Sequence, residues 1–125
     1  MLLVHADGLD ELSIAGPSYV VELKDGAIDE YEIEPEDFGL ERQSLDGLKA
    51  DSVESSLALV RAALSQEDSA AASIVALNAG AAIYASGVAT SLANGGTMAQ
   101  DVIASGQARE RLAELVRISS LMGET

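Results

Sequence analysis

The hydrophobic pattern of this chain changes period once, near residue 51, and that change limits the fold more than any other feature. Before it, short apolar runs and alternating glutamates indicate strands, which we predict at residues 2–5, 18–23 and 27–33. The pair Asp25-Gly26 between the last two strands predicts a tight hairpin turn. We expect the first strand to be fully buried, because its residues are apolar throughout rather than alternating.

Beyond this point apolar side chains recur at helical spacing, which indicates helices to the end of the chain. Asp51, with Glu54 three residues later, is predicted to cap the first helix. A second helix is predicted at residues 69–86. The other predicted helix caps and breaks are Gly87, Thr90 or Ser91, and Gly106. The expected fold class is α/β: a short strand, a β-hairpin and then about three helices.

A glycine-containing loop with two adjacent carboxylates follows the first strand. It ends in Asp10 and Glu11, and Gly8 supplies the backbone freedom that a turn requires. Neighbouring side chains of a regular strand point to opposite faces, so both acids reach one cation only from a turn. Mg²⁺ commonly binds one or two carboxylates together with substrate phosphates. The residues alone leave a second interpretation open, an ordinary solvated acidic turn, which is the commoner case.

The charge of the chain restricts its partners. The net charge is -14, and the seven lysines and arginines are scattered, which argues against nucleic acid as a partner. A polyphosphate substrate would need a metal ion to approach so acidic a surface. The chain has no cysteine, so it forms no disulfide or thiolate site. No apolar run has membrane-spanning length and no signal-peptide pattern is present, so we expect a cytoplasmic protein.

His5, Asn78 and residues 95–97 are predicted to have structural roles. His5, the only histidine, has no nucleophile in a recognisable arrangement beside it and is interpreted as structural. Asn78 lies in an apolar helix and is predicted to bond to backbone across a helix contact. Residues 95–97 resemble a phosphate-binding helix start, but no lysine accompanies them. Asp7 is a weaker metal-ligand candidate that shapes the loop.

Several segments, in order along nearly the whole chain, resemble those of anthranilate phosphoribosyltransferases. The strongest is Asp-Gly-Leu-Asp-Glu-Leu-Ser at residues 7–13. The others are residues 16–18, 21–26, 33–40, 77–84 and 103–108. The chain departs from the family pattern at Ala6, where glycine is frequent, and a positive φ would strain an alanine there. It departs again at Ser55 and Ser56, where the family usually has Asn-Ala.

The resemblance implies a function for the acidic loop. It places the family's magnesium-binding acids at Asp10 and Glu11, and it assigns no catalytic or organic cofactor-binding residue to this chain. The implied activity is transfer of phosphoribosyl from phosphoribosyl pyrophosphate to anthranilate in tryptophan biosynthesis. Residues 1–125 would be a single unit, the C-terminal portion of the large α/β, mixed-sheet domain of a homodimeric enzyme. The N-terminal helical domain and the glycine-rich pyrophosphate loop would be absent, so we expect the chain alone to be inactive.

Two alternatives remain at this point. One is a non-catalytic acidic interaction module that folds or oligomerises through exposed helix faces. The other is part of an enzyme similar to the pyrimidine-nucleoside phosphorylases, whose segments fit less well.

Overall fold

The computed structural model describes residues 1–65 and 67–123 of the chain. Its three strands form one antiparallel sheet in the order β1-β2-β3. They are β1 (Leu2–His5), β2 (Ser18–Lys24) and β3 (Ala27–Ile33). Two short 3₁₀ turns, Pro35–Phe38 and Asp46–Leu48, lead to the helices. The helices are α1 (Val53–Ala63), α2 (Ala70–Ala85), α3 (Leu92–Ala104) and α4 (Gln107–Gly123). The predicted α/β class and order of elements are confirmed.

The hairpin between β2 and β3 closes at the predicted dipeptide. Asp25 and Gly26 have φ values of 51° and 80°, and Lys24 pairs with Ala27 across the turn. Positive φ at both central positions is the type I′ conformation, whose twist matches that of the flanking strands. Aspartate and glycine adopt this conformation more readily than other residues, which is why the dipeptide predicts the turn.

The sheet buries one face and exposes the other. Val20 of β2 is 2% exposed and belongs to the main core. Leu3 of β1 is 67% exposed, as is Ile28 of β3. The prediction of a fully buried first strand is therefore wrong: among the described residues, no second layer covers the outer face, and burial alternates along β1.

Serine side chains begin three of the helices. Ser69 and Ser91 cap α2 and α3 by accepting a hydrogen bond from the amide three residues on. Ser52 caps α1 in the same way, and the Ser55 hydroxyl accepts the Ser52 amide in return. The predicted Asp51 cap is one residue too early, because Asp51 instead donates its amide to the Ser55 hydroxyl. Good capping residues stand next to each other here, so the pattern left a one-residue ambiguity.

Two glycines end helices as predicted. Gly87 follows α2 and Gly106 follows α3, each with φ of 83°. A left-handed glycine directly after a helix stops it without the steric cost that other residues incur. Gly106 divides the predicted third helix into α3 and α4, so the described part of the chain contains four α-helices rather than about three.

Helices α2 and α3 touch through their backbones at glycines. A Cβ atom added to Gly80 of α2 would lie 2.5 Å from the backbone nitrogen of Gly96 on α3. A Cβ added to Gly95 would overlap the carbonyl oxygen of Gly80. The absence of side chains at these positions is therefore what permits the close approach. It fixes the separation of α2 and α3 at this point.

The C-terminal end of α2 hydrogen-bonds to the sheet. The Tyr84 hydroxyl donates to Glu22 of β2 at 2.5 Å, and Tyr31 of β3 donates to the same carboxylate at 2.9 Å. Donation from Tyr84, followed by that from Tyr31, holds the pKa of the Glu22 carboxyl below its usual value, although partial burial opposes the shift. Lys24 donates to the Tyr84 oxygen at 3.3 Å. This cluster fixes one end of α2 against β2 and β3.

The main core lies between the inner face of the sheet and α2. Its buried members are Leu12, Ile14, Val20, Ile33 and Leu77. A smaller cluster forms between α2 and α3, from Ala76, Ala99 and Ile103. None of the helices in the described part of the chain has both the length and the apolar character needed to cross a bilayer.

Candidate metal-binding loop

The acidic loop begins with a two-residue turn. Ala6 and Leu9 exchange backbone hydrogen bonds of 3.2 and 2.7 Å across Asp7 and Gly8. Asp7 has φ of 49° and Gly8 has φ of 77°, the type I′ geometry. The positive φ values fall on an aspartate and a glycine, so the alanine at position 6 introduces no strain of that kind. The turn reverses the chain immediately after β1.

The two predicted ligands follow this turn, at the surface. Asp10 and Glu11 are both exposed. Within residues 1–65 and 67–123, neither carboxylate accepts a hydrogen bond or forms an ion pair. The residues on either side of the loop are buried: Ala6 and Leu12 are each 1% exposed. Two free carboxylates therefore project from a short segment whose two ends lie in the core.

The chain after Glu11 is fixed by Asn78 of α2. The Leu12 amide donates to Asn78 Oδ1 at 2.9 Å, and Asn78 Nδ2 donates to the Leu12 carbonyl at 2.9 Å. Asn78 Nδ2 also donates to the carbonyl of Ile74, one turn earlier on α2, at 3.0 Å. The predicted bond from Asn78 to backbone is confirmed, but the partner is the acidic loop rather than another helix.

Asp7 takes part in the hydrogen bonding of the loop itself. The Ser13 hydroxyl donates to Asp7 Oδ2 at 3.2 Å and accepts the Ala15 amide at 3.0 Å. The Ser13 amide donates to the Ser18 hydroxyl at 2.9 Å, which connects the loop to the start of β2. Asp7 thus contributes to the shape of the turn, as predicted, and its carboxylate accepts the Ser13 hydroxyl.

His5 and the Gly95-Gly96 pair do not take part in the acidic loop. His5 is exposed on β1, where its backbone pairs with Tyr19. Gly95 and Gly96 are buried in α3 rather than open at its start. Gly95 packs against α2, and a Cβ at Gly96 would lie 3.1 Å from the ring of Phe38. The backbone there is already in contact on two sides, which leaves no room for a phosphate.

The donor set of the loop suits a hard divalent cation. The described residues contain no group of three or more His, Cys, Asp or Glu that could hold a metal ion. Asp10 and Glu11 supply two carboxylates, and Mg²⁺ retains several waters and often completes its shell with substrate phosphates. Two uncommitted carboxylates at an open surface fit that mode of binding, whereas a closed, all-protein site would need more ligands.

Comparison with known proteins defines the class to which this fold and loop belong. The family model described as "Glycosyl transferase family, a/b domain" matches residues 1–109. The chain belongs to this family. Within it, the chain is similar to anthranilate phosphoribosyltransferases, as the sequence resemblance predicted. The enzyme of that name from Stutzerimonas stutzeri is 52% identical over 97% of this chain, and this chain spans 36% of its length.

Solved structures agree with this assignment. The crystal structure of anthranilate phosphoribosyltransferase from Thermus thermophilus has a TM-score of 0.82 and 41% identity. That alignment covers 93% of this chain and 34% of the solved chain. The enzyme from Saccharomyces cerevisiae in complex with PRPP and Mg has a TM-score of 0.74 and 24% identity, covering 90% of this chain and 33% of its own. At that identity the likeness concerns the fold alone. This chain thus corresponds to about a third of the proteins it matches.

Proposed function

We propose that this chain is part of an anthranilate phosphoribosyltransferase and that Asp10 and Glu11 bind the Mg²⁺ ion that accompanies phosphoribosyl pyrophosphate. The whole enzyme would transfer the phosphoribosyl group to anthranilate, in tryptophan biosynthesis. The chain would form the C-terminal portion of the enzyme's α/β domain, and the intact enzyme would be a homodimer.

One observation carries the proposal. Asp10 and Glu11 are exposed and free of partners among the described residues, yet they lie between two fully buried positions, Ala6 and Leu12. A solvated acidic turn with no function requires free carboxylates but no such fixation. A metal site benefits from both, because a segment whose backbone is already fixed at its ends loses less conformational entropy when the ion binds.

Electrostatics explains why a cation is needed. Two unit negative charges about 6 Å apart repel by about 0.7 kcal/mol in water, and by about 3 kcal/mol at an effective dielectric constant of 20. A pyrophosphate group brought to this loop would add to that repulsion, on a chain whose net charge is already -14. Bound Mg²⁺ would neutralise charge on the phosphates and favour departure of pyrophosphate from the anomeric carbon. Asp10 and Glu11 would orient the donor through the ion.

The remaining binding groups belong to the rest of the enzyme. The seven basic residues of the chain are scattered, and Lys24, Arg42, Lys49 and Arg111 form contacts within the described structure. We therefore expect the purified chain alone to convert no anthranilate. Turnover by the isolated chain, measured from loss of anthranilate fluorescence, would contradict that expectation.

A chimera tests the assignment directly. This chain would replace the matching third of the Stutzerimonas stutzeri enzyme, and binding of phosphoribosyl pyrophosphate would be measured by calorimetry with and without Mg²⁺. We expect Mg²⁺-dependent binding and turnover. Replacing Asp10→Asn together with Glu11→Gln should weaken binding at least about tenfold, because both proposed ligands are lost.

The matched control is Glu30→Gln together with Glu32→Gln, which removes the same charge from exposed positions on β3. It should leave Mg²⁺-dependent binding unchanged. If the folded chimera bound the donor equally well with and without Asp10 and Glu11, the proposed role of the loop would be wrong. If it bound no donor at all, the non-catalytic module would become the better interpretation.

A further inference from the structure

A single side chain satisfies the backbone of the residue that follows the acid pair. Asn78 accepts the Leu12 amide and donates to the Leu12 carbonyl, both at 2.9 Å. The two residues are 66 positions apart in the chain. Leu12 is 1% exposed, so its backbone groups are shielded from water and need such partners. Asn78 is the partner that the structure gives to both groups.

Asn78 is itself fixed in orientation and in position. Its second amide proton goes to the carbonyl of Ile74 at 3.0 Å, which restricts rotation of the side chain. Two residues further along α2, Gly80 meets Gly95 and Gly96 of α3 backbone to backbone. The amide that meets Leu12 therefore comes from a helix whose own place is set by close packing.

We propose that Asn78 is a positioning residue for the carboxylate pair, acting through Leu12 to keep Glu11 and Asp10 in one arrangement. This proposal depends on the proposed magnesium role of the pair. With Leu12 fixed at both its amide and its carbonyl, Glu11 lies one peptide unit from a fixed point. Without Asn78, the segment between Ala6 and Leu12 gains freedom that a bound ion must remove again.

The test uses this chain with inorganic pyrophosphate, which supplies phosphate ligands, and Mn²⁺, a paramagnetic probe that prefers the same oxygen ligands as Mg²⁺. Broadening of the ¹⁵N-amide signals of Asp10 and Glu11 is followed as Mn²⁺ is added. In Asn78→Leu, which keeps the volume but removes the hydrogen bonds, we expect half-broadening to need about tenfold more Mn²⁺. Hydrogen exchange of the Leu12 amide, measured without metal, should accelerate in the same variant.

Gly26→Ala is the control for a general loss of stability. Gly26 has a φ of 80° in the turn between β2 and β3, so this variant loses about 1–2 kcal/mol without touching Leu12 or α2. Its Mn²⁺ dependence at Asp10 and Glu11 should match that of the wild type. If Asn78→Leu binds Mn²⁺ as the wild type does while its Leu12 amide exchanges faster, Asn78 is only a structural residue and the proposal is overturned.

A measurement on the wild type covers the case in which Asn78→Leu does not fold. Titration with Mg²⁺ should shift the Asn78 side-chain amide signals with the same midpoint as the Glu11 amide. Unchanged Asn78 signals during a Glu11 shift would overturn the positioning role alone. If Mn²⁺ with inorganic pyrophosphate broadens Asp10 and Glu11 no more than Glu30 and Glu32, the magnesium role of the loop is wrong, and the role of Asn78 falls with it.

Discussion

The chain contains two Asp-Gly turns of nearly identical backbone geometry and very different surroundings. Asp7-Gly8 has φ values of 49° and 77°, and Asp25-Gly26 has values of 51° and 80°. The second turn joins two long strands. The first joins β1 to a single bridged residue and then to the exposed acids. The dipeptide determines the turn in both places, but only the tertiary neighbours distinguish a connection from a candidate site.

Both turns are linked to α2, by different chemistry. The segment after the first turn is bound at Leu12 by the Asn78 amide. The strand before the second turn, β2, is bound by Tyr84, which donates to Glu22 and accepts from Lys24. The first link depends on neutral groups. The second depends on an ionised carboxylate, so the two should respond differently to pH.

The largest expected effect on stability comes from a substitution that displaces α2. Displacement of this helix would weaken both the Asn78–Leu12 link and the Tyr84–Glu22 link. In Gly80→Ala the new Cβ would meet the backbone of Gly96, which cannot move aside as a side chain can. We expect the free energy of unfolding in urea to fall by about 1–3 kcal/mol, the usual cost of overpacking. Gly123→Ala, a helical glycine with nothing within 4 Å, is the control and should not lower stability. Equal stability of Gly80→Ala and the wild type would contradict the backbone contact between α2 and α3.

Alanine substitutions in the two turns have a smaller expected effect, and they distinguish the turns directly. A Cβ at Gly8 or Gly26 meets nothing within 4 Å, so each alanine variant incurs only the cost of a left-handed backbone, about 1–2 kcal/mol. Thermal and urea unfolding should show similar losses for both variants. Only Gly8→Ala should change the Mn²⁺ concentration that broadens Asp10 and Glu11. An equal change in Gly26→Ala would mean that the two turns are not independent.

The smallest expected effect is a change in pH dependence at the second link. Because hydrogen bonding lowers the pKa of Glu22 in the folded state, its contribution to stability is complete above the unfolded pKa. That contribution is lost as pH falls through the lower, folded-state pKa. In Tyr84→Phe the closer of the two tyrosine donors to Glu22 is missing, so urea midpoints should decrease less between about pH 5 and pH 3 than in the wild type. Tyr19→Phe, on an exposed residue of β2, should leave the wild-type slope unchanged.

Short-range features of the fold were predictable from the sequence. The Asp25-Gly26 hairpin and the helix ends at Gly87 and Gly106 depend on backbone conformations that few residues adopt, so the residue type is informative. The same Asp-Gly signal at residues 7–8 forms the same kind of turn, and the sequence predicted a turn there from Gly8 without predicting its two-residue form.

Features that depend on distant neighbours were not predictable. An apolar run such as residues 2–4 indicates a strand, but whether Leu3 is covered depends on what lies over the sheet. Likewise, Asn78 had to be hydrogen-bonded, yet nothing local identifies Leu12 as its partner. The identity of Asp10 and Glu11 as candidate ligands came from the family resemblance. The residues alone favoured a solvated turn.

The glycine contact between α2 and α3 limits how far this fold can adjust to substitutions. Helices that meet through side chains can repack around a new neighbour, whereas two main chains in contact have a single separation. A substitution that tilts α3 must therefore displace α2 as well, and the Asn78 amide moves with it. Residues on the far side of α3, which touch neither acid, thus gain an influence over the geometry at Glu11.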